Sequence, residues 1–214
     1  MSAGDPVSAA DPVGAARALR HRDWDEQYRT GRWDYLGDPA ERYRFTALAG
    51  QIHRYAPDSV LDLGCGQGLL YEALGGPAFA GRYVGVDWSA AALPPAARAA
   101  RAARPARHGF VCADLTRLPL RASFDLAVLG EVLYYLPDPV AALADVDRLL
   151  VPGGRLLLSI YRPRPDRPGP WPAAVDALVE ALVADGAAHL RTIVEPHHHR
   201  RWSFFLRQRR MEGK

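Results

Sequence analysis

The chain has 214 residues, of which 49% are hydrophobic and 24% charged, which is typical of one globular domain. The net charge of +3 is too small to indicate nucleic acid as a partner, and no apolar run approaches the roughly 20 residues of a membrane span. Cys65 and Cys112 lack a partner at metal-site spacing and no secretory signal is evident, so a cytoplasmic location is the simplest inference.

The first predicted elements are helical. Residues 1–20 are rich in Ala, Gly, Ser and Pro, and we expect them to form a disordered tail. Trp24 and Tyr28 are four residues apart and therefore share one helix face. A second helix is predicted over residues 40–55, before Pro57. Residues 21–56 thus form a predicted helical cap on a single domain of residues 21–214.

Strands then alternate with helices along the rest of the chain. Five strands are predicted at 60–63, 83–86, 110–113, 124–129 and 155–161, with a long helix from residue 69 and helices at 94–104 and 139–150 between them. A helix at 172–185 and strands at 190–195 and 202–207 follow. This alternation predicts an α/β fold whose mostly parallel sheet is covered by helices on both faces.

The segment between the first strand and its helix is the most informative about function. Residues 60–68 read VLDLGCGQG, with three alternate glycines. A turn without Cβ atoms lets the backbone lie against a ligand, and the following helix offers free N–H groups there. In a dinucleotide fingerprint the third glycine comes three positions after the second, and Leu69 occupies that position here. The turn therefore departs from the NAD-binding pattern.

Further candidate ligand-binding residues stand at the carboxyl ends of the next strands, where open parallel sheets bind their ligands. Asp87 ends the second strand as an acid suited to ribose hydroxyls, and Trp88 after it offers a flat face for adenine. Asp114 and Leu115 follow the third strand and Gly130 ends the fourth. Each feature alone has an ordinary alternative, since a glycine turn is often a packing device and a strand-end aspartate often a helix N-cap.

With these four features in order, the chain resembles the class I methyltransferases that use S-adenosylmethionine (SAM). Their first motif is an acidic residue followed by alternate glycines, and the resemblance covers about residues 24–207. It implies a Rossmann-like seven-stranded sheet in the order 3-2-1-4-5-7-6, with strand 7 antiparallel. It also implies SAM as the cofactor and S-adenosylhomocysteine as the product formed from it.

The resemblance assigns the motif residues to parts of the cofactor. The implied cofactor-binding residues of the glycine turn and strand ends are Asp62, Gly64, Cys65, Gly66, Asp87, Trp88, Asp114, Leu115 and Gly130. The glycine-turn residues and Gly130 would hold the methionine part, Asp87 the ribose, and the others the adenine.

The cap resembles more narrowly that of small-molecule methyltransferases, including the nodulation-factor N-methyltransferases. In that group the cap closes over SAM and an arginine meets its carboxylate. The resemblance therefore implies Arg44, with Tyr28 and Trp33, as further cofactor-binding residues. The alternative is that Trp24 and Tyr28 are ordinary packing aromatics and that Arg44 lies on the surface.

The candidate catalytic residues are Glu131, Tyr134, His198 and His199. Methyl transfer from a sulfonium is an in-line displacement in which positioning alone can supply most of the rate, so a general base is optional. Histidine titrates in the useful range, but the histidines can equally form a solvated turn, and their diverging side chains predict no metal site. Glu131 is better suited to orient the backbone or a substrate amine, and Tyr134 to line the pocket or pack.

We therefore expect methyl transfer to an oxygen or nitrogen of a small molecule, in specialised metabolism, by a monomer or homodimer without nucleic-acid or membrane partners. The base-amine motif Asn/Asp-Pro-Pro-Tyr is replaced after the fourth strand by residues 130–133, GEVL, which argues against nucleic-acid bases as acceptors. A nucleotide-dependent oxidoreductase and a SAM-binding protein that does not methylate, regulatory or cyclase, remain alternatives. The arginines after residue 199 form either a solvated end or a site for an anion.

Overall fold

The computed structural model of the chain describes residues 21–94, 107–118, 120–121, 123–164 and 170–209. The expected disordered tail at 1–20 and, apart from residue 94, the expected helix at 94–104 lie outside these residues. The helices are α1 His21–Arg29, α2 Pro39–Tyr55, α3 Leu69–Ala73, α4 Pro139–Asp147 and α5 Pro170–Ala184. Short 3-10 helices span Asp34–Gly37, Gly76–Ala78 and Leu133–Tyr135. Within the described part, no helix is both long and apolar enough to cross a membrane.

The strands form one seven-stranded sheet in the order β3-β2-β1-β4-β5-β7-β6. They are β1 Ser59–Leu63, β2 Arg82–Asp87, β3 His108–Cys112, β4 Phe124–Gly130, β5 Leu150–Tyr161, β6 Ala188–Val194 and β7 Arg201–Gln208. The strands from β3 across to β5 pair in parallel, while β7 is antiparallel to both β5 and β6. The predicted fold class and strand order are confirmed.

The central strand β1 is buried along its whole length, because apolar layers cover both faces of the sheet. Successive side chains of a strand point to opposite faces. Leu61 and Leu63 accordingly join one apolar cluster with residues of α4 and α5. Val60 joins the other cluster, with Leu48 and Ile52 of α2. This double burial fixes the position of the turn that leaves β1.

Several predicted boundaries are wrong. The helix after the glycine turn has five residues and not the expected length, because Gly75 and Gly76 adopt left-handed φ values of +98° and +55° that end it. The third strand is His108–Cys112 and not 110–113. The fifth strand begins at Leu150, which pairs with Phe124 ahead of an irregularity in the register, so the preceding helix ends at Asp147 and not at 150.

The arginines of β7 and the loop before it are used inside the fold. Arg207 is 3% exposed, and its guanidinium donates to both oxygens of Asp147 at 2.9 Å, with Nε 3.3 Å from Asp185. Arg200 donates to Glu41 at 2.6 Å, which joins the loop between β6 and β7 to α2. Neither a solvated end nor an anion site describes these two side chains.

Candidate functional site

The turn after β1 depends on glycine at three positions. Gly64, Gly66 and Gly68 have φ values of +78°, +50° and +82°, in the left-handed region that favours glycine. A Cβ at Gly64 would lie 2.2 Å from Val132 Cγ2, and one at Gly68 would lie 2.9 Å from Pro94 Cγ. The turn therefore lies close against the segments that follow β4 and β2.

Asp87 at the end of β2 fixes the backbone of this turn by a hydrogen bond. Gly66 N donates to Asp87 Oδ2 at 2.9 Å, and Ser89 N donates to Oδ1 at 2.8 Å. Burial raises the pKa of Asp87 to about 6, although these two hydrogen bonds lower it. A carboxylate has about four acceptor sites, so Asp87 can accept further hydrogen bonds. Within the described ranges no cation forms an ion pair with it.

Asp62 and Cys65 are placed inside the fold. Asp62 is 3% exposed and accepts a hydrogen bond from the Tyr83 hydroxyl, and burial raises its pKa to about 6. Cys65 is 8% exposed, and burial raises the pKa of its thiol well above the ordinary value. Cys65 N donates to Val86 O at 3.0 Å. Through these contacts both residues connect the end of β1 and the turn to the neighbouring strand β2.

The expected adenine-binding residues lie at the ends of β2 and β3. Trp88 is partly buried, and the edge of the His21 ring approaches it with 6.2 Å between ring centroids. Asp114 Oδ1 accepts from Thr116 N and Thr116 Oγ1, both at 2.8 Å, which leaves its second oxygen for another donor. Leu115 packs against the larger apolar cluster. These residues therefore follow the carboxyl ends of two neighbouring strands.

Glu131 after β4 is an anchor between two strands. Its backbone has a φ of +63°, which is uncommon for a residue with a side chain. Oε1 accepts from Ser159 Oγ at 2.7 Å, and Oε2 accepts from the Tyr134 hydroxyl at 2.8 Å and from Tyr161 N at 2.7 Å. Burial raises the pKa of Glu131 while Arg44 lowers it. With both oxygens occupied, Glu131 is arranged to orient the backbone and Tyr134.

Arg44 of α2 lies inside the cap and not on its surface, with 4% of its area exposed. Its Nε and Nη2 donate to Glu41 Oε2 at 3.3 and 3.2 Å. Its Nη1 faces β4, where a Cβ at Gly130 would lie 3.6 Å away. Burial lowers the pKa of Arg44, but the charges of Glu131 and Glu41 raise it by more. A permanent cation therefore stands beside the end of β4.

The cap lies directly over the glycine turn. A Cβ at Gly66 would lie 3.1 Å from the hydroxyl oxygen of Tyr28 on α1. Burial raises the pKa of Tyr28 well above its ordinary value, so the hydroxyl is neutral and can act as a donor. The surface of the turn that lacks a side chain is thus faced by a polar atom of the cap.

Aromatic rings connect the cap to the segments after β4 and β5, and we call them the aromatic cluster. Its members are Trp24, Tyr28, Trp33, Tyr35, Tyr134, Tyr135 and Trp171. Trp24 stacks on Trp33 at 5.7 Å between centroids and meets the edge of Tyr135 at 5.3 Å. Trp33 Nε1 is buried without an acceptor among the residues that the structure describes. It is therefore a donor available to a ligand.

The histidines lie in the loop that joins β6 to β7. This loop is at the carboxyl edge of the sheet, because Tyr161 at the end of β5 pairs with Trp202 at the start of β7. His198 Nδ1 lies 3.1 Å from Glu195 Oε2, and its side chain is 64% exposed. His199 is exposed, with a φ of +54°. In the described part of the chain, no hydrogen bond or ring contact joins either histidine to the glycine turn or the aromatic cluster.

Sequence reasoning missed Asp25 and Ser89. Ser89 Oγ donates to Asp25 Oδ1 at 2.6 Å across a separation of 64 residues. Asp25 is three residues before Tyr28 on the same helix face, and this was the one local indication of its position.

Comparison with known proteins gives consistent matches. The family model described as "Methyltransferase domain" matches residues 61–158. Trans-aconitate 2-methyltransferase of Azoarcus sp. (strain BH72) is 31% identical over 183 residues, which are 81% of this chain and 68% of that protein. Nodulation protein S of Rhizobium tropici is 31% identical over 134 residues, which are 61% of this chain and 55% of that protein.

A solved structure shares the fold. It is the Burkholderia thailandensis 1,6-didemethyltoxoflavin-N1-methyltransferase with bound 1,6-didemethyltoxoflavin and S-adenosylhomocysteine. The TM-score is 0.65 at 22% identity, with 96% of this chain and 92% of that chain covered. At this identity the match shows a common fold and no more.

Proposed function

The chain belongs to the class I SAM-dependent small-molecule methyltransferases, and we propose that methyl transfer to an oxygen or nitrogen of its acceptor takes place between the glycine turn and the cap. The observation that carries this location is the carboxylate of Asp87, buried at the end of β2 and fixed by Gly66 N and Ser89 N. It retains acceptor sites for hydroxyl donors, as the vicinal hydroxyls of a ribose require.

The residues present fit SAM. The glycine turn is a cradle that side chains would fill, Asp87 offers a carboxylate bonded to that turn, and Arg44 offers a guanidinium beside Gly130. When bound, SAM supplies a methyl group on a positively charged sulfur. The proposed binding residues of its methionine part, ribose and adenine are Tyr28, Trp33, Arg44, Asp62, Gly64, Cys65, Gly66, Asp87, Trp88, Asp114, Leu115 and Gly130.

The protein's own residues contribute mainly by position. Arg44 presents a guanidinium beside Gly130 that suits a carboxylate. Tyr28 and the cap exclude water from the glycine turn, which strengthens electrostatic interactions there. Glu131 holds Tyr134 at the acceptor side. Most of the rate then comes from alignment of the acceptor.

The aromatic cluster is the proposed wall of the acceptor site. Burial raises the pKa of Tyr134 well above its ordinary value, and it also raises the pKa values of Tyr35 and Tyr135. These hydroxyls therefore stay neutral. Trp33 Nε1 has no hydrogen-bond partner among the described residues and can donate a hydrogen bond to the molecule that is methylated. His198 and His199 are the proposed proton acceptors, since three donors already fill most of the acceptor sites of the Glu131 carboxylate.

Calorimetry with S-adenosylhomocysteine tests the location of the site. Asp87→Ala should weaken binding by about 1–3 kcal/mol, the cost of leaving buried polar groups unpaired. Asp58→Ala is the matched control, because Asp58 is exposed and directly precedes β1, at the other end of this strand from the glycine turn. Equal affinity in the two variants would refute the location.

A panel of small phenols and amines then tests the reaction. We expect S-adenosylhomocysteine to accumulate from SAM with at least one acceptor. Binding of SAM without turnover on any acceptor would favour the non-methylating alternative. A thermal shift with NAD in place of SAM would favour the oxidoreductase.

A further inference from the structure

The carboxylate of Asp25 joins helix α1 to the segment after β2. Asp25 Oδ1 accepts from Ser89 Oγ at 2.6 Å and from Ala91 N at 3.1 Å. The other oxygen lies 3.6 Å from Arg29 Nη2 and 3.7 Å from His21 Nδ1. The Asp25 side chain is 14% exposed. This side chain therefore bridges two segments that are far apart in the sequence.

Ser89 touches the cap and the acid at the end of β2 at the same time. It is 0% exposed. Its backbone N donates to Asp87 Oδ1 at 2.8 Å, while its hydroxyl donates to Asp25 and accepts from Ala92 N at 3.2 Å. Ser89 thus binds two carboxylates, that of Asp25 on the cap and that of Asp87 in the proposed SAM site, which we call the donor crevice.

The contacts of Ser89 lead through Asp87 and the glycine turn back to helix α1. Asp87 accepts from Gly66 N, and Gly66 faces the hydroxyl of Tyr28. Tyr28 is three residues after Asp25 on α1, so both side chains lie on the same helix face. A displacement of α1 therefore changes the position of Asp25 at Ser89 and of Tyr28 at Gly66 together.

Apolar packing accounts for only part of the attachment of α1, since none of its residues is fully buried. The rings of Trp24 and Tyr28 pack in the aromatic cluster, but they remain partly exposed. A helix held by partly exposed rings also depends on its specific hydrogen bonds.

We propose that Asp25 and Ser89 form a latch that positions the cap over the donor crevice and couples cap closure to Asp87. They are positioning residues, which act through Tyr28 and Asp87. The role in donor binding rests on the proposed function, whereas the latch itself concerns the attachment of α1.

Two variants break the latch and one restores it. Asp25→Ala removes the acceptor, and Ser89→Ala removes the hydroxyl but keeps the backbone N–H that holds Asp87. Asp25→Asn keeps an oxygen that can accept both hydrogen bonds. Glu26→Ala is the matched control, because Glu26 is the next residue of α1 and its 63% exposed carboxylate pairs with Arg29.

The readouts are trypsin cleavage after Arg32, with and without S-adenosylhomocysteine, and the affinity for that compound by calorimetry. Asp25→Ala and Ser89→Ala should accelerate cleavage and weaken binding about 3- to 10-fold, the effect of one hydrogen bond. The double variant should lose less than the sum of the two single losses, because the hydrogen bond between Asp25 and Ser89 is removed by either change. Asp25→Asn should restore the affinity to within about twofold of the wild type.

Cleavage and affinity in Asp25→Ala equal to those of Glu26→Ala would overturn the latch, as would additive effects in the double variant. If the wild-type protein does not bind S-adenosylhomocysteine, the proposed function fails. Cleavage in the ligand-free proteins still decides whether the latch exists. Circular dichroism identifies a variant that does not fold, and the second variant then supplies the result.

Discussion

Substitution of Glu131 by Gln is a sharp test of how the end of β4 is held. Three donors converge on this carboxylate, from Ser159, Tyr134 and Tyr161. Glutamine keeps the shape but has one acceptor oxygen, and its NH2 group can only donate. The NH2 group can take the place of Oε1 if the Ser159 hydroxyl rotates to accept from it, but all the hydrogen bonds then lose their charged acceptor. The substitution also removes the negative charge that raises the pKa of Arg44.

The expected loss of stability follows from these contacts. A hydrogen bond to a charged acceptor contributes about 1 kcal/mol more than one to a neutral acceptor, and three such bonds are weakened here. Arg44 keeps its ion pair with Glu41, so the electrostatic loss stays below the roughly 3–5 kcal/mol of a fully broken buried pair. We therefore expect Glu131→Gln to lower the free energy of unfolding by about 2–4 kcal/mol.

Urea unfolding monitored by circular dichroism measures this loss. Tyr134→Phe is a useful comparison, because it removes one donor and leaves the carboxylate with two, and it should cost only about 1 kcal/mol. An unchanged urea midpoint for Glu131→Gln would refute the anchoring role. So would full stability combined with a turnover rate reduced more than about 100-fold, which is the behaviour of a general base.

Two further predictions concern other buried carboxylates. The affinity for S-adenosylhomocysteine should fall about tenfold from pH 7 to pH 5, because hydroxyl donors favour the ionised form of Asp87, whose pKa burial raises to about 6. Calorimetry on Asp87→Asn should show no such dependence on pH. An affinity of the wild type that does not change with pH would contradict the assignment. Arg207→Met should lower the free energy of unfolding by about 3–5 kcal/mol, since it leaves Asp147 and Asp185 without their cation. Arg209→Met, which loses a hydrogen bond to a backbone carbonyl, should cost clearly less in the same urea titration, and equal losses would show that the ion pairs do not matter.

The strands and the residues at their ends were predictable because their signals are local, whereas the strand order came from the resemblance to the methyltransferases. Apolar runs mark the strands, and the three glycines mark a turn whose backbone needs left-handed conformations. Asp87 was recognisable from its place at the end of a strand. The length of α3 was misjudged, although Gly75 and Gly76 are also local signals that end it.

The contacts of the cap were not predictable in this way. The pair of Asp25 and Ser89 spans 64 residues and the pair of Arg200 and Glu41 spans 159. No spacing rule connects side chains at such distances, since the folded sheet alone brings them together. The same holds for Arg207, which in the sequence is one arginine of a basic stretch and in the fold balances two aspartates.

The close approach of Tyr28 to Gly66 also restricts how the chain can vary among its relatives. A methyl group at position 66 would stand 3.1 Å from the phenol oxygen, on a backbone with a φ of +50°. An alanine there would need both a tolerated left-handed backbone and a shorter neighbour on the cap. Related chains without glycine at position 66 should therefore carry a residue smaller than tyrosine at position 28, so that the two sites change as a pair.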